Sequence, residues 1–215
     1  MKVAVILGGT SFEREVSLKT GKAVLEACKN NNYEVEAVMI DKNYKKYLPI
    51  LRNVDVVFNA LHGTMGEDGT IQKCLEENNI NFTGSDSVSS ALCMNKMECK
   101  KILRKNGFLT PSWIEFKEHL KTNEVSLPCI VKPNAQGSTF GLSLVEKAKD
   151  LRAAILRSQK FDKSTLIEDY IYGKEITVGV IEESPMPIVE ILPKNRIYDY
   201  KCKYTAGMSE YNCPA

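Results

Sequence analysis

The sequence predicts an α/β protein: an N-terminal doubly wound parallel sheet, then a smaller α+β unit and the beginning of a third. Three observations carry this. Val3-Ala4-Val5-Ile6-Leu7 is an uninterrupted apolar run that ends abruptly at Gly8-Gly9, the pattern of a strand buried on both faces of a parallel sheet. Strand-like and helix-spaced segments then alternate as β-α-β-α-β as far as Asn59, which implies right-handed crossovers and ligand groups gathered at the carboxyl ends of the strands. Further on, two aliphatic runs flank a small polar loop over residues 130–145 and read as strand, loop, strand.

The bulk numbers agree with a globular chain. It has 215 residues, 43% hydrophobic and 26% charged, enough to bury a sizeable core. The 29 basic and 27 acidic residues are interspersed and leave a formal charge of +2, so neither nucleic acid nor a membrane is expected as a partner. The opening apolar run is too short for a secretory or membrane segment, and a cytoplasmic location is expected. Seven cysteines, an odd number with no Cys-x-x-Cys pair, argue against a disulfide framework and a zinc site.

Taken in order, the first strand should be followed by a helix that Ser17 can cap, with Thr20, Ala23, Val24, Ala27 and Cys28 at helical spacing. Residues 33–40 and 54–59 make the second and third strands. A helix over 70–78 and a brief strand at 81–83 follow, and a boundary is expected near 94, giving a first domain of residues 1–94. Lys96, Lys100, Lys101 and Lys105 then lie on one helix; such a run is ordinarily a solvated basic face, although one of them could bind phosphate. Gly107 and Pro111 stop that helix. Residues 95–174 form the second unit, with strands at 112–116 and 165–171, the strand-loop-strand of 130–145 and a helix over 147–158. Residues 175–215 begin a third, opening on an expected interior strand at 175–181, with three strands and no closing helix.

The chemistry gathers in loops. Gly137 and Gly141 permit positive φ and close backbone approach, Ser138 and Thr139 add hydroxyls, and Lys132 adds a cation. A phosphate suits this loop, and an ordinary hairpin with a solvated lysine suits it equally. The first βα loop carries Glu13, Arg14, Glu15 and Ser17 but lacks G-x-G-x-x-G, so a dinucleotide cofactor is excluded. His62 follows a strand beside Gly63, Gly66, Gly69 and two carboxylates; a turn or capping histidine and a substrate-contacting one both fit.

Five stretches together resemble the D-alanine–D-alanine ligases of the ATP-grasp superfamily. They are Gly8-Gly9-Thr10-Ser11-Phe12-Glu13-Arg14-Glu15-Val16-Ser17-Leu18, then His62-Gly63 with Gly66-Glu67-Asp68-Gly69-Thr70-Ile71-Gln72, and Thr83-Gly84-Ser85 with Met94-Asn95-Lys96. Val131-Lys132-Pro133 with Gly137-Ser138-Thr139-Phe140-Gly141, and Tyr198-Asp199-Tyr200-Lys201-Cys202-Lys203-Tyr204, complete the set. The resemblance implies a pre-ATP-grasp domain followed by the ATP-grasp subdomains, and ATP-dependent joining of two D-alanines through an acyl phosphate for peptidoglycan precursor synthesis.

Carried over residue by residue, the resemblance places Lys96, Lys132, Gly137, Ser138 and Thr139 on the ATP phosphates. It places Glu168, Asp169 and Ile171 at the adenine and Glu175 at the ribose. Glu13, Ser138 and Tyr204 would form a hydrogen-bonded clasp over the first D-alanine, with His62 and Ser17 beside that substrate and Lys203 near the transferred phosphate. Tyr204 favours a dipeptide over a D-alanyl-D-lactate product. Asn95, Thr139 and Asp169 stand where aspartate, serine and lysine are usual in the family. The resemblance further implies magnesium, with manganese as a substitute, held by Asp, Glu and Asn of a segment beyond residue 215. No metal ligand is therefore expected within 1–215, and little turnover is expected from this chain alone. A homodimer is the expected assembly. The alternative reading is a non-catalytic ATP- or D-alanine-binding fragment, or half of a split enzyme.

Overall fold

The computed structural model describes residues 1–120 and 122–215. They form two compact units, Met1–Phe108 and Leu109–Ala215.

In the first unit β1 (Lys2–Gly8) runs parallel to β2 (Glu34–Ile40) on one side and to β3 (Val56–Asn59) on the other. Because β1 lies between β2 and β3, the winding reverses at β1, and the crevice outside the carboxyl ends of β1 and β3 is where such sheets receive ligands. The apolar run of β1 feeds two cores. Ala4 and Ile6 pack with Val38, Val57 and Leu75 on one face, while Val3, Val5 and Leu7 pack with Ala60 on the other. Burying each of the larger side chains contributes about 1.5–3 kcal/mol. Helix α1 (Arg14–Asn30) lies against the second of these faces through Leu18, Val24 and Leu25. A short helix α2 (Leu48–Leu51) leads into β3, and α3 (Thr70–Glu77) follows it. The brief strand expected at 81–83 is a single parallel bridge, Val57 to Phe82.

Two expectations are corrected here. Helix α1 begins at Arg14, so Ser17 lies inside it and does not cap it. Helix α5 (Lys96–Lys105) packs on α4 (Ser87–Met94) and belongs with it to the compact first unit. On α5, Lys100 is buried and not part of a solvated face. Asn95 caps α5 by accepting from the Glu98 N–H at 3.2 Å; asparagine performs this as well as aspartate.

The second unit opens with β4 (Trp113–Glu115), β5 (Cys129–Pro133), β6 (Ser143–Val145) and β7 (Thr165–Asp169), an antiparallel sheet in the order β4-β7-β5-β6. Helix α6 (Ala148–Gln159) covers it through Leu151, Ala154 and Ile155, which meet Cys129, Val131, Val145 and Ile167. After β7 come β8 (Glu175–Thr177) and the hairpin of β9 (Val180–Ile181) with β10 (Ser184–Pro185). Then follow β11 (Val189–Pro193), the short helix α7 (Tyr200–Tyr204) and β12 (Ser209–Asn212).

The interior strand expected at 175–181 is not formed. At Gly179 the chain leaves the ladder, its carbonyl accepting from the Met186 N–H at 2.7 Å, and β8 sits exposed at the edge of the sheet β12-β11-β8. Residues 175–215 cluster with 109–174 as one unit, and α7 adds a helix to the three strands expected there. No helix among the described residues is long and apolar enough to cross a membrane.

Candidate functional site

In the first unit, the loop after β1 and the loop after β3 are tied together by side chains. Ser17 is fully buried; its hydroxyl accepts from the Gly8 N–H at 2.9 Å and donates to the Ala60 carbonyl at 2.7 Å. The Ser11 hydroxyl donates to the His62 carbonyl at 2.6 Å and accepts from the Glu13 N–H at 3.1 Å. Thus Ser17, expected beside the substrate, is spent on holding the two strand ends. A buried serine whose one hydrogen is given to a backbone carbonyl has no donor left for a ligand.

His62 stands at this junction. Its Nε2 lies 3.1 Å from the Thr20 hydroxyl and its Nδ1 3.2 Å from Glu67 Oε1. The hydrogen bond to Glu67 raises the His62 pKa above its ordinary value against the opposing effect of burial, with the charges of Glu67 and Glu13 adding to the rise. Burial pushes the Glu67 carboxyl up, but the hydrogen bonds from His62 and from the Gly63 N–H at 2.9 Å outweigh it and hold the group below its ordinary value. Asp68 accepts from the Met65 and Thr70 N–H groups and so shapes the entry to α3. Glu13 is buried to 3% exposure. The result is an imidazole biased towards its charged form at the carboxyl end of β3, a partner suited to an anionic group. It borders a cleft of about 450 Å³ lined by Thr20, Asn59, Glu67, Gln72 and Ser90 among others. Lys96, also in this unit, occupies the first position of α5 and is half-buried.

In the second unit, the loop between β5 and β6 departs from expectation in one respect. Gly137 does not take positive φ. Ser138 and Thr139 do, at 45° and 60°, together with Gly141 at 72°. Left-handed conformation costs a non-glycine residue about 1–2 kcal/mol, and such strain persists only where surroundings enforce it. Here the Asn134 N–H bonds the Ser164 carbonyl at 2.9 Å, the Ala135 N–H bonds Asp162 Oδ2 at 2.7 Å, and the Leu142 N–H bonds the Thr139 carbonyl at 3.2 Å. The turn aims the Ser138 hydroxyl at the Tyr204 hydroxyl, 2.8 Å away, so two of the three expected clasp residues meet.

Lys132 and Glu168 form an ion pair with each other. Antiparallel pairing sets Ile130 opposite Glu168, which puts Lys132 and Glu168 diagonally adjacent on one face of the sheet. A separate cleft of about 620 Å³ is lined by Thr139, Ile171 and Glu175, and also by Lys174, Arg196 and Tyr198, within the size range of small-molecule sites. Burial raises the Glu175 pKa, and the positive charge of Lys203 opposes the rise. Lys203 itself lies 5.3 Å from the centroid of the Tyr198 ring. Asp169 does not line this cleft: its N–H bonds the Ser112 carbonyl at 3.0 Å, and it borders a smaller opening beside β4.

Comparison with known proteins accords with this arrangement. The family description "D-ala D-ala ligase N-terminus" matches residues 2–51 and 44–85, and "D-ala D-ala ligase C-terminus" matches residues 90–215. A D-alanine–D-alanine ligase of Aquifex aeolicus is 43% identical over 98% of this chain and 73% of its own length; one of Syntrophotalea carbinolica is 41% identical over 100% and 70%. The chain belongs to the D-alanine–D-alanine ligase family. Among solved structures, a D-alanine–D-alanine ligase from Bacillus anthracis superposes with a TM-score of 0.86 at 34% identity, over 99% of this chain and 71% of that one. The same ligase complexed with ATP gives 0.79 at 36% identity, over 99% and 70%. A D-Ala:D-Ser ligase of Enterococcus faecalis gives 0.75 at 30% identity, over 100% and 76%.

Set against the ligase family, the residues missed in the sequence are the partners of those that were found. Thr20 lies three residues beyond Ser17 on α1, so both face the exit of β3; a polar pair on the inward side of an amphipathic helix was the available signal. Lys174 and Arg196 carried no motif. Only the bend after β7 and the run beyond β11 bring them to the lining that Ile171 and Glu175 share.

Proposed function

We propose that the protein uses ATP to join two D-alanines, the product serving peptidoglycan precursor synthesis. The observation that carries this is the Ser138–Tyr204 hydrogen bond, formed at the tip of a strained loop whose next residue, Thr139, lines the 620 Å³ cleft. ATP occupies that cleft, with adenine near Ile171 and ribose at Glu175. Lys132, Lys96 and the Gly137–Ser138–Thr139 backbone serve the phosphates. Glu168 and Asp169 belong with Ile171 to the strand exit that holds the adenine, whose amino group is bonded by backbone. Lys132 exchanges its ion pair with Glu168 for phosphate contacts.

In the first step a carboxylate oxygen of one D-alanine attacks the γ-phosphorus, an acyl phosphate forms and ADP leaves. In the second, the amine of another D-alanine attacks the acyl carbon, the peptide bond forms, phosphate leaves and the amine gives up a proton. Lys203 belongs near the transferred phosphoryl group. His62, biased towards imidazolium, faces the carboxylate of the first D-alanine, and Glu13 and Ser138–Tyr204 orient that substrate. Preorganised cations and donors at sites of developing negative charge are the main source of acceleration in such transfers. Water must be excluded from the acyl phosphate, which a loop closing over the cleft achieves.

Magnesium, or manganese in its place, belongs to this proposal through the charge of the triphosphate. Among the described residues no group of three or more His, Cys, Asp or Glu side chains is placed to hold a metal ion, and no step is assigned to one. A homodimer in the cytoplasm, where ATP is supplied, completes the proposal.

The test is calorimetry with ATP and D-alanine, followed by a phosphate-release assay with magnesium and with D-alanine, D-serine or D-lactate as second substrate. Binding of both ATP and D-alanine supports the ligase, with little phosphate release expected from residues 1–215 alone. Binding of ATP without D-alanine favours a non-catalytic nucleotide-binding module, and absence of binding of either ligand rules out both readings.

A further inference from the structure

Four aromatic rings stand behind the Ser138–Tyr204 contact. Phe140, two residues beyond Ser138, packs on Phe161 with ring centroids 5.7 Å apart and on Tyr200 at 4.9 Å. Tyr200 in turn lies 4.6 Å from Tyr204. The three pairs are tilted by 34°, 43° and 50°, within the distance range at which aromatic pairs attract beyond their area burial. Both ends of the stack are anchored. At one end Gly141 leaves no room to move, since a Cβ there would stand 2.7 Å from the Phe161 ring. At the other, Asp199 caps α7 by accepting from the Cys202 N–H at 2.9 Å, and the Cys202 side chain is buried. From the first position of α7, the helix that also carries Tyr204, Tyr200 therefore sets its ring between Tyr204 and a loop holding two left-handed non-glycine residues.

We propose that Tyr200 is a positioning residue: its ring, wedged between Phe140 and Tyr204, holds the 134–142 loop in its strained form and sets the distance at which Ser138 meets Tyr204. Holding the loop in this form lowers the ordering cost that substrate binding energy must otherwise meet. The ring and not the hydroxyl does this, so phenylalanine should substitute and alanine should not. The functional meaning rests on the ligase reading; the mechanical claim does not.

The experiment is millisecond hydrogen–deuterium exchange on the 215-residue protein without ligands, comparing wild type with Tyr200→Ala, Tyr200→Phe and Phe140→Leu. Peptides covering 136–142 should exchange about tenfold faster in Tyr200→Ala, the scale expected when two aromatic pairs are lost. Peptides covering β6 should be unchanged and Tyr200→Phe should match wild type. Loop exchange unaltered in Tyr200→Ala, with β6 still protected, overturns the proposal. If Tyr200→Ala fails to fold, Phe140→Leu decides: it removes the same contact from the loop side, and faster loop exchange supports the proposal while wild-type exchange overturns it. A parallel titration with a non-hydrolysable ATP analogue and D-alanine separates the two levels. Tyr200→Ala should weaken D-alanine binding more than analogue binding, with Tyr200→Phe restoring it. Failure of wild type to bind either ligand refutes the ligase reading and leaves the exchange result standing.

Discussion

Replacing Ser17 with alanine tests whether this residue holds the fold or touches substrate. The variant removes one oxygen and leaves two backbone groups, the Gly8 N–H and the Ala60 carbonyl, without the partner each has at 2.9 and 2.7 Å. Both residues are buried, Ala60 to 1% exposure, so water cannot replace the hydroxyl without opening the junction of β1 and β3. An orphaned buried polar group costs about 1–3 kcal/mol, and two give about 2–4 kcal/mol once partial relaxation is allowed. For a unit of this size each kcal/mol moves the midpoint by about 4–8 °C, so the melting temperature by far-UV circular dichroism should fall by at least about 8 °C. Urea denaturation should show a matching loss at an unchanged m-value. An unaltered midpoint accompanied by weaker D-alanine binding would refute the reasoning and return Ser17 to the substrate.

Three further outcomes follow from the geometry. Because the folded pKa of His62 is raised above 6.5, the His62–Glu67 pair stabilises fully below that value and loses its contribution as pH rises through the raised pKa; because that of Glu67 is lowered below 4.5, the contribution also fades as pH falls through the lowered one. Melting temperature measured from pH about 5 to about 9 should decline at the alkaline end in wild type and less so in Glu67→Gln; parallel curves would show the pair to be inert. Gly141→Ala places a Cβ at φ 72°, 2.7 Å from Phe161 and 3.0 Å from Pro133, and should cost about 2–4 kcal/mol from left-handed strain and overpacking together; a urea midpoint within error of wild type would show that the ring yields. Ser138→Ala should raise the D-alanine concentration needed for binding in calorimetry while leaving stability nearly intact, since its hydroxyl contact is exposed; unchanged D-alanine dependence would remove Ser138 from the substrate.

The sequence alone determined the architecture of the first unit and the addresses of the chemistry. An apolar run of β1 residues alternating between two cores can only be a strand covered on both faces, and the glycine-rich breaks after β1 and β3 had to fall at the carboxyl edge of a parallel sheet. Propensity and periodicity are local, so they survive in a linear reading. What the tertiary structure alone decided was the choice of partners. Ser17 reads as a helix cap until β3 delivers Ala60 to its hydroxyl. Lys132 pairs with Glu168 only because the β5–β7 register sets Ile130 opposite Glu168. The strain falls on Ser138 and Thr139 instead of Gly137 because the loop is pinned at Asn134, Ala135 and Gly141. The run 175–181 looks interior by composition but turns away at Gly179, where the hairpin to β10 competes for its backbone. In each case the deciding group lies far along the chain, and one residue of register changes which side chains face each other.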